Sequence, residues 1–299
     1  MIHDWLREQQ NGAATTRSTW SRLRALVDFE FRALFRSRWG VAVFCLCLFP
    51  GLGRLVMLAI MFGVVNFGPV GLRNRLQGRP ELPTLDPWRV DFYLEPVLSV
   101  VPGMVFALLL TSLVVARTIA RDRIANSLEL YWTRGISPAG YAFAKWLGGF
   151  LVIALVTVAV PAVLWLTAAF LADDWSLLLS GAFDMARAVF GLAVVTAVWT
   201  AICLGLSIVC GTPNAAMVAW SMLLFGSTAV GAVFANALHQ PWLRSCFSIW
   251  EAGAVCARAI AGASQRDVSV AGAAATLATT LGVLFLLARP RLRITEALR

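Results

Sequence analysis

Six stretches of this chain, residues 40–66, 98–119, 137–171, 185–210, 215–238 and 270–288, are each long and apolar enough to cross a bilayer as a helix. No other feature constrains the fold as strongly. Hydrocarbon offers no hydrogen-bond partner to a backbone that is neither helical nor closed into a barrel. The 299 residues are 59% hydrophobic and 14% charged, outside the range of soluble globular domains. The expected fold class is therefore an all-α membrane protein with six transmembrane helices.

Two of the stretches are too long to be plain spans. Residues 137–171 make ~52 Å of helix against a ~30 Å hydrocarbon core, so the first turns project into water, and Pro161 is expected to kink the rest. Residues 40–66 are interrupted by Pro50-Gly51-Leu52-Gly53, and Arg54 follows at mid-depth. An arginine inside the membrane is a functional hypothesis by default. The alternative, ranked first, is structural: the helix breaks at Pro50 and Arg54 snorkels or finds a carbonyl.

Residues 1–38 form a separate N-terminal part. The first twenty residues are polar, so no cleavable signal peptide is expected. From Trp20 onward, Leu23, Val27, Phe31, Leu34 and Phe35 follow helical spacing, while Arg22, Arg24, Asp28, Arg32 and Arg36 fall elsewhere on the wheel. Such a helix lies in the membrane interface with its arginines toward anionic lipid. The transmembrane part is 39–288, with Pro-containing 67–97 as an outer loop. Residues 239–268 are a second outer segment whose apolar stripe (Phe247, Trp250, Ala254, Ala257) suits an outer amphipathic or re-entrant helix. Residues 289–299 are a basic tail.

Charge sets the orientation. Sixteen Lys and Arg fall in 1–38, 117–145 and 289–299, against eight in 67–97, at Arg187 and in 239–268. Both termini and the 117–146 loop are thus expected in the cytoplasm. The same bias accounts for the net charge of +9 without nucleic acid. Twenty-four Arg against a single Lys is the usage of a GC-rich bacterial genome, so the expected location is a bacterial cytoplasmic (inner) membrane.

The most informative stretch is 117–146. Arg121-Asp122-Arg123 marks the exit of the second span, and Ser127 to Arg134 reads as a short helix with Leu128, Tyr131 and Trp132 on one side. Gly135 suits a left-handed cap, and Ser137-Pro138 is an N-cap with proline in the first turn. A short helix lying across two span ends is a device for transmitting force. Arg121-Asp122-Arg123, Leu128-Glu129-Leu130-Tyr131, Arg134, Ser137, Tyr141 and Lys145 together resemble the first cytoplasmic loop of type-2 ABC exporter permeases. The match covers about thirty residues, and the rest of the chain agrees in layout. It departs at Gly135, where many relatives have Pro, and at Ala144, where many have Gly.

The resemblance implies that the short element is a coupling helix docking on a separate ABC-type ATPase subunit. Arg121, Asp122, Arg123, Leu128, Glu129, Tyr131, Trp132 and Arg134 would make that contact. The amphipathic segment would be a connecting helix that also touches the ATPase through its Leu23, Val27, Phe31, Leu34 and Phe35. ATP and Mg would sit on the partner, a second permease chain would complete the pore, and the 239–268 segment would help close the outer mouth.

Other chemistry is missing from the sequence. No phosphate-loop motif occurs, so this chain is not expected to bind ATP or to be an enzyme. His3 and His239 are expected on opposite sides, which excludes bis-histidine haem ligation, and no metal or catalytic set is visible. Cys45, Cys47, Cys203 and Cys210 read as small apolar residues, while Cys246 and Cys256 are open candidates for a disulfide. The leading expectation is an exporter of a lipidic or amphipathic substrate. The alternatives are an ion-coupled secondary transporter, which ought to carry acids at mid-membrane, or a non-transporting assembly or maturation protein.

Overall fold

In a computed structural model the described residues are 19–62, 87, 89–128, 131, 136–171, 175–263 and 268–297. All regular structure among them is helical. Six helices are long and apolar enough to span a membrane: Arg38–Met61, Val100–Ile124, Pro138–Leu171, Gly181–Val209, Pro213–Ala237 and Val270–Arg291, here called the first to sixth spans. The fourth is the most deeply buried, and the others arrange around it. Trp146 of the third span donates to its Ala197 carbonyl at 3.0 Å, and the hydroxyls of Thr157 and Thr196 meet at 2.8 Å. Its Ser207 Oγ accepts from the Ala120 amide of the second span at 3.3 Å.

The N-terminal helix, Thr19–Arg36, lies against the start of the third span. Gly148 and Gly149 make that approach possible. A Cβ on Gly148 would stand 2.8 Å from Glu30 Cβ, and one on Gly149 would stand 2.7 Å from a Val115 methyl. The third span therefore fits between the N-terminal helix on one side and the second span on the other. Ser37 then turns the chain, its Oγ accepting from the Gly40 amide at 3.3 Å to cap the first span.

Two details differ from expectation, the place of the first span's break and the end of the outer loop. The first span breaks at Leu48, between Arg38–Cys47 and Phe49–Met61, so Pro50 sits harmlessly in the first turn of the second piece. The third span breaks at Val158, as expected from Pro161, which has no N–H to give the Thr157 carbonyl one turn back. The last part of the 67–97 loop is helical, Val90–Leu98, and buries Phe92, Tyr93 and Leu94; residues 63–86 lie outside the described set. Arg187 donates to the Ile260 carbonyl at 3.0 Å and lies over the Phe183 ring.

Of the 239–268 segment, the described residues 239–263 are re-entrant. Leu243–Phe247 runs inward and Ile249–Ala261 runs back out. The turn at Ser248 reaches Thr228 of the fifth span, 3.0 Å between hydroxyls, nine residues before that helix ends. On the return, Trp250 stacks on Trp199 with centroids 4.2 Å apart, and Ile260 meets Arg187 two to three turns further out. Arg258 pairs with Glu95 of Val90–Leu98 at 3.0 Å. Arg54 faces that same helix, its guanidinium carbon 4.9 Å from the Phe92 ring centroid. That ring, on the helix that precedes the second span, is one of its contacts, and Met57 Sδ at 3.9 Å is another.

Candidate functional site

Both stems of the loop between the second and third spans are held by one buried cluster of charge. Lys145, the chain's single lysine, sits two turns into the helix that begins at Pro138, with its side chain fully buried. Its Nζ is ion-paired with Glu30 of the N-terminal helix and with Asp122 near the end of the second span. Tyr141 Oη donates to Asp122 Oδ2 at 2.7 Å, and the Tyr141 ring centroid is 5.4 Å from Nζ. A buried ammonium is tolerated only when paired and hydrogen-bonded. Here two carboxylates and an aromatic face do so, and the tyrosine hydroxyl donates a further hydrogen bond to Asp122.

Local sequence explains why these groups converge. Ser137 Oγ accepts from the Gly140 amide at 3.1 Å, which starts the third span where expected and places Tyr141 and Lys145, four apart, on one face. Asn126 at φ 52° ends the second span's helix and turns the chain back. Gly135, expected to cap the short helix that follows, lies outside the described residues. Ser127 Oγ donates to the Asp122 carbonyl at 3.2 Å and closes the turn.

Among the described residues, the expected coupling residues do not share one surface. Asp122 and Leu128 are buried, and Leu128 belongs to the chain's own core. Tyr131 is half-buried with its ring centroid 5.1 Å from that of Tyr141. Burial raises its phenol above the usual range, Lys145 opposes that shift, and Asp122 and Glu30 add to it. Arg123 donates to the Ile208 carbonyl at 3.1 Å, across to the end of the fourth span. Arg121 is exposed beside a cavity of about 200 Å³ between the second span and the N-terminal helix. Glu129, Trp132 and Arg134 lie outside the described residues.

Of the connecting-helix residues, Leu34 is buried, and Leu23, Val27 and Phe31 pack on the core. Phe35 is 42% exposed yet touches Phe31 and Phe44, at 5.4 and 5.5 Å, bracing the elbow into the first span. Glu30 is the residue that sequence reasoning missed. It stands four after Leu26 and four before Leu34, an acid inside the inward stripe. Tyr141 and Lys145 were part of the quoted motif but had no role assigned.

The cluster holds no nucleophile poised on a base, and no group of three or more His, Cys, Asp or Glu among the described residues could hold a metal ion. Cys246 and Cys256 are free thiols, as are the other four cysteines. What the arrangement does is mechanical: three elements distant in sequence are clamped to one ammonium. No protein-family model, no curated protein and no solved structure matches the chain.

Proposed function

We propose that this chain is the membrane-spanning permease subunit of an ATP-driven type-2 ABC exporter, working beside a second permease chain and a separate ATPase. The observation that carries the proposal is the Glu30–Lys145–Asp122 clamp at the base of the 117–146 motif. A loop that must pass on a push needs stems that cannot slip. Here the stems and the N-terminal helix share one buried ion cluster, so a load on the loop moves them as a unit. The break at Val158 and the π-helical turn at Ser112–Ala116 are places where the spans above can bend in response. The acids of the cluster lie at the loop end of the bundle rather than at mid-span, which favours coupling over ion transport. The intramembrane faces carry little charge, which suits a lipidic or amphipathic cargo.

Purification of the tagged chain in mild detergent from its native host tests this directly. A phosphate-loop ATPase is expected to come with it, and the stripped chain is expected to show no ATP turnover. Hydrolysis by the chain alone, or repeated isolation without any ATPase, overturns the reading.

The proposed orientation in a bacterial cytoplasmic membrane puts the loop and both termini inside. In a cysteine-free background, Gln240→Cys should react with an impermeant maleimide from outside, and Ala125→Cys only after permeabilisation. Both positions are exposed, so access to the reagent alone decides the outcome. The reverse labelling pattern would end the coupling proposal, since the loop would face away from ATP.

A further inference from the structure

A second feature of the loop end is a groove of about 600 Å³ on the side of the bundle, between the third, fourth and sixth spans. Its walls are apolar: Phe143 and Trp146 on one side, Leu281 and Phe285 on the other, with Ala201 and Leu204 behind. Its size is that of a small-molecule site. It runs from Ser137 and Arg289 at the rim to Trp146 and Leu281 at depth, roughly 12–14 Å at the helical rise, a length close to half the thickness of a hydrocarbon core. Shared walls with the sixth span set the first turns of the third span at lipid level instead of in water.

The rim is where the groove stops resembling an ordinary lipid-facing furrow. Arg289 lines it, and no carboxylate among the described residues pairs with that guanidinium. Arg291 and Arg123 stand close by, within electrostatic reach of each other, and donate to the Val209 and Ile208 carbonyls. Ser137 uses its oxygen to cap Gly140, leaving its hydroxyl proton to donate. Apolar depth beneath a cationic, donor-bearing rim is complementary to a single acyl chain under an anionic headgroup.

We propose that this groove binds one anionic phospholipid from the leaflet at the loop end, with an acyl chain between the third and sixth spans and its phosphate at Arg289 and Ser137. The site requires only that the six helices span a membrane; it does not depend on the exporter reading. By seating a lipid beside Pro138–Thr157, it would link bilayer charge to the helix that carries Lys145.

The test uses the full chain in phosphatidylcholine vesicles with a trace of phosphatidylglycerol bearing a diazirine on its acyl chain, photolysed without any ATPase. Adducts are expected within 139–146 and 281–289, displaced by excess unlabelled phosphatidylglycerol but not by added phosphatidylcholine. Arg289→Gln should reduce that labelling about fivefold, the worth of one interfacial cation. Ala142→Trp, which fills the groove from its edge, should abolish it. Adducts spread equally over the exposed face of the fifth span, or equal competition by both lipids, would show ordinary boundary lipid and overturn the proposal. An absence of groove adducts in the unmutated chain would do the same, and would point to a protein surface covering the face. The competition arms need no variant, so they decide the matter even if a substitution misfolds.

Discussion

Replacing Lys145 with methionine is expected to destabilise the fold by about 3–5 kcal/mol, because it leaves Glu30 and Asp122 buried without their cation. The size of the effect comes from what remains. Methionine fills most of the lysine's volume, so little packing is lost, but two buried carboxylates then face each other. The remedy is to remove the charges as well. Glu30→Gln and Asp122→Asn added to Lys145→Met should recover most of the loss, since neutral amides cost less to bury than ions. Tyr141 can still donate to an asparagine oxygen at position 122, so that bond survives the change. Unfolding in mixed micelles with increasing SDS, followed by circular dichroism, gives the comparison. A single variant as stable as the parent, or a triple variant no better than the single, would mean that the cluster does not hold these helices.

The clamp also shows where reading the chain succeeds and where it stops. The spans were legible because the bilayer fixes both length and composition, and a run of twenty apolar residues has few other uses. The start of the third span was legible for a local reason: Ser137-Pro138 contains both the capping oxygen and the preset φ. Pairing was not legible. Glu30 and Lys145 are 115 residues apart, and nothing near either one names the other. The available hint was that each is a charge on an apolar face, Glu30 in the stripe of Leu26 and Leu34, Lys145 in a helix otherwise apolar. Two such anomalies suggest partners without proving which.

Other differences have the same origin. Val90–Leu98 was hidden by Pro87 and Pro96, which read as loop, although Phe92-Tyr93-Leu94 is a buried apolar run. The π-helical turn at Ser112–Ala116 left no trace in periodicity; it accompanies Thr111 accepting the Trp220 indole N–H at 2.7 Å from another span. The loop's own surface was read from a wheel that put Leu128, Tyr131 and Trp132 together. Leu128 goes to the core and Tyr131 leans on Tyr141, because the stems need covering before a partner does. Among the described residues beside the turn, Arg121, Ile124, Ala125 and Asn126 are exposed.

At the far end of the bundle, Trp250→Ala is expected to cost about 3–5 kcal/mol, the range for removing a fully buried large aromatic. Two contacts go at once. The ring stacks on Trp199 with an interplanar angle of 10°, and its Nε1 donates to the Leu98 carbonyl at 3.2 Å. Leu98 ends the Val90–Leu98 helix just before the extended step at Ser99 to Val101, so its carbonyl has no helical successor to pair with. The indole thus ties the re-entrant segment to the start of the second span. Trp250→Phe separates the two roles: it keeps a stacked ring and loses the hydrogen bond, for roughly 1 kcal/mol. Trp199→Ala combined with Trp250→Ala should cost less than the sum of the singles, since both remove the same stack. Trp199 cannot simply shift to compensate, because Gly253 leaves only enough room for its ring: a Cβ there would stand 2.5 Å from Trp199 Cζ2. Strict additivity of the two alanine variants, or a Trp250→Ala protein as stable as the parent, would show that the re-entrant helix is not docked on this pair. A Phe variant as damaged as Ala would place the whole effect in the Leu98 bond instead of the stack.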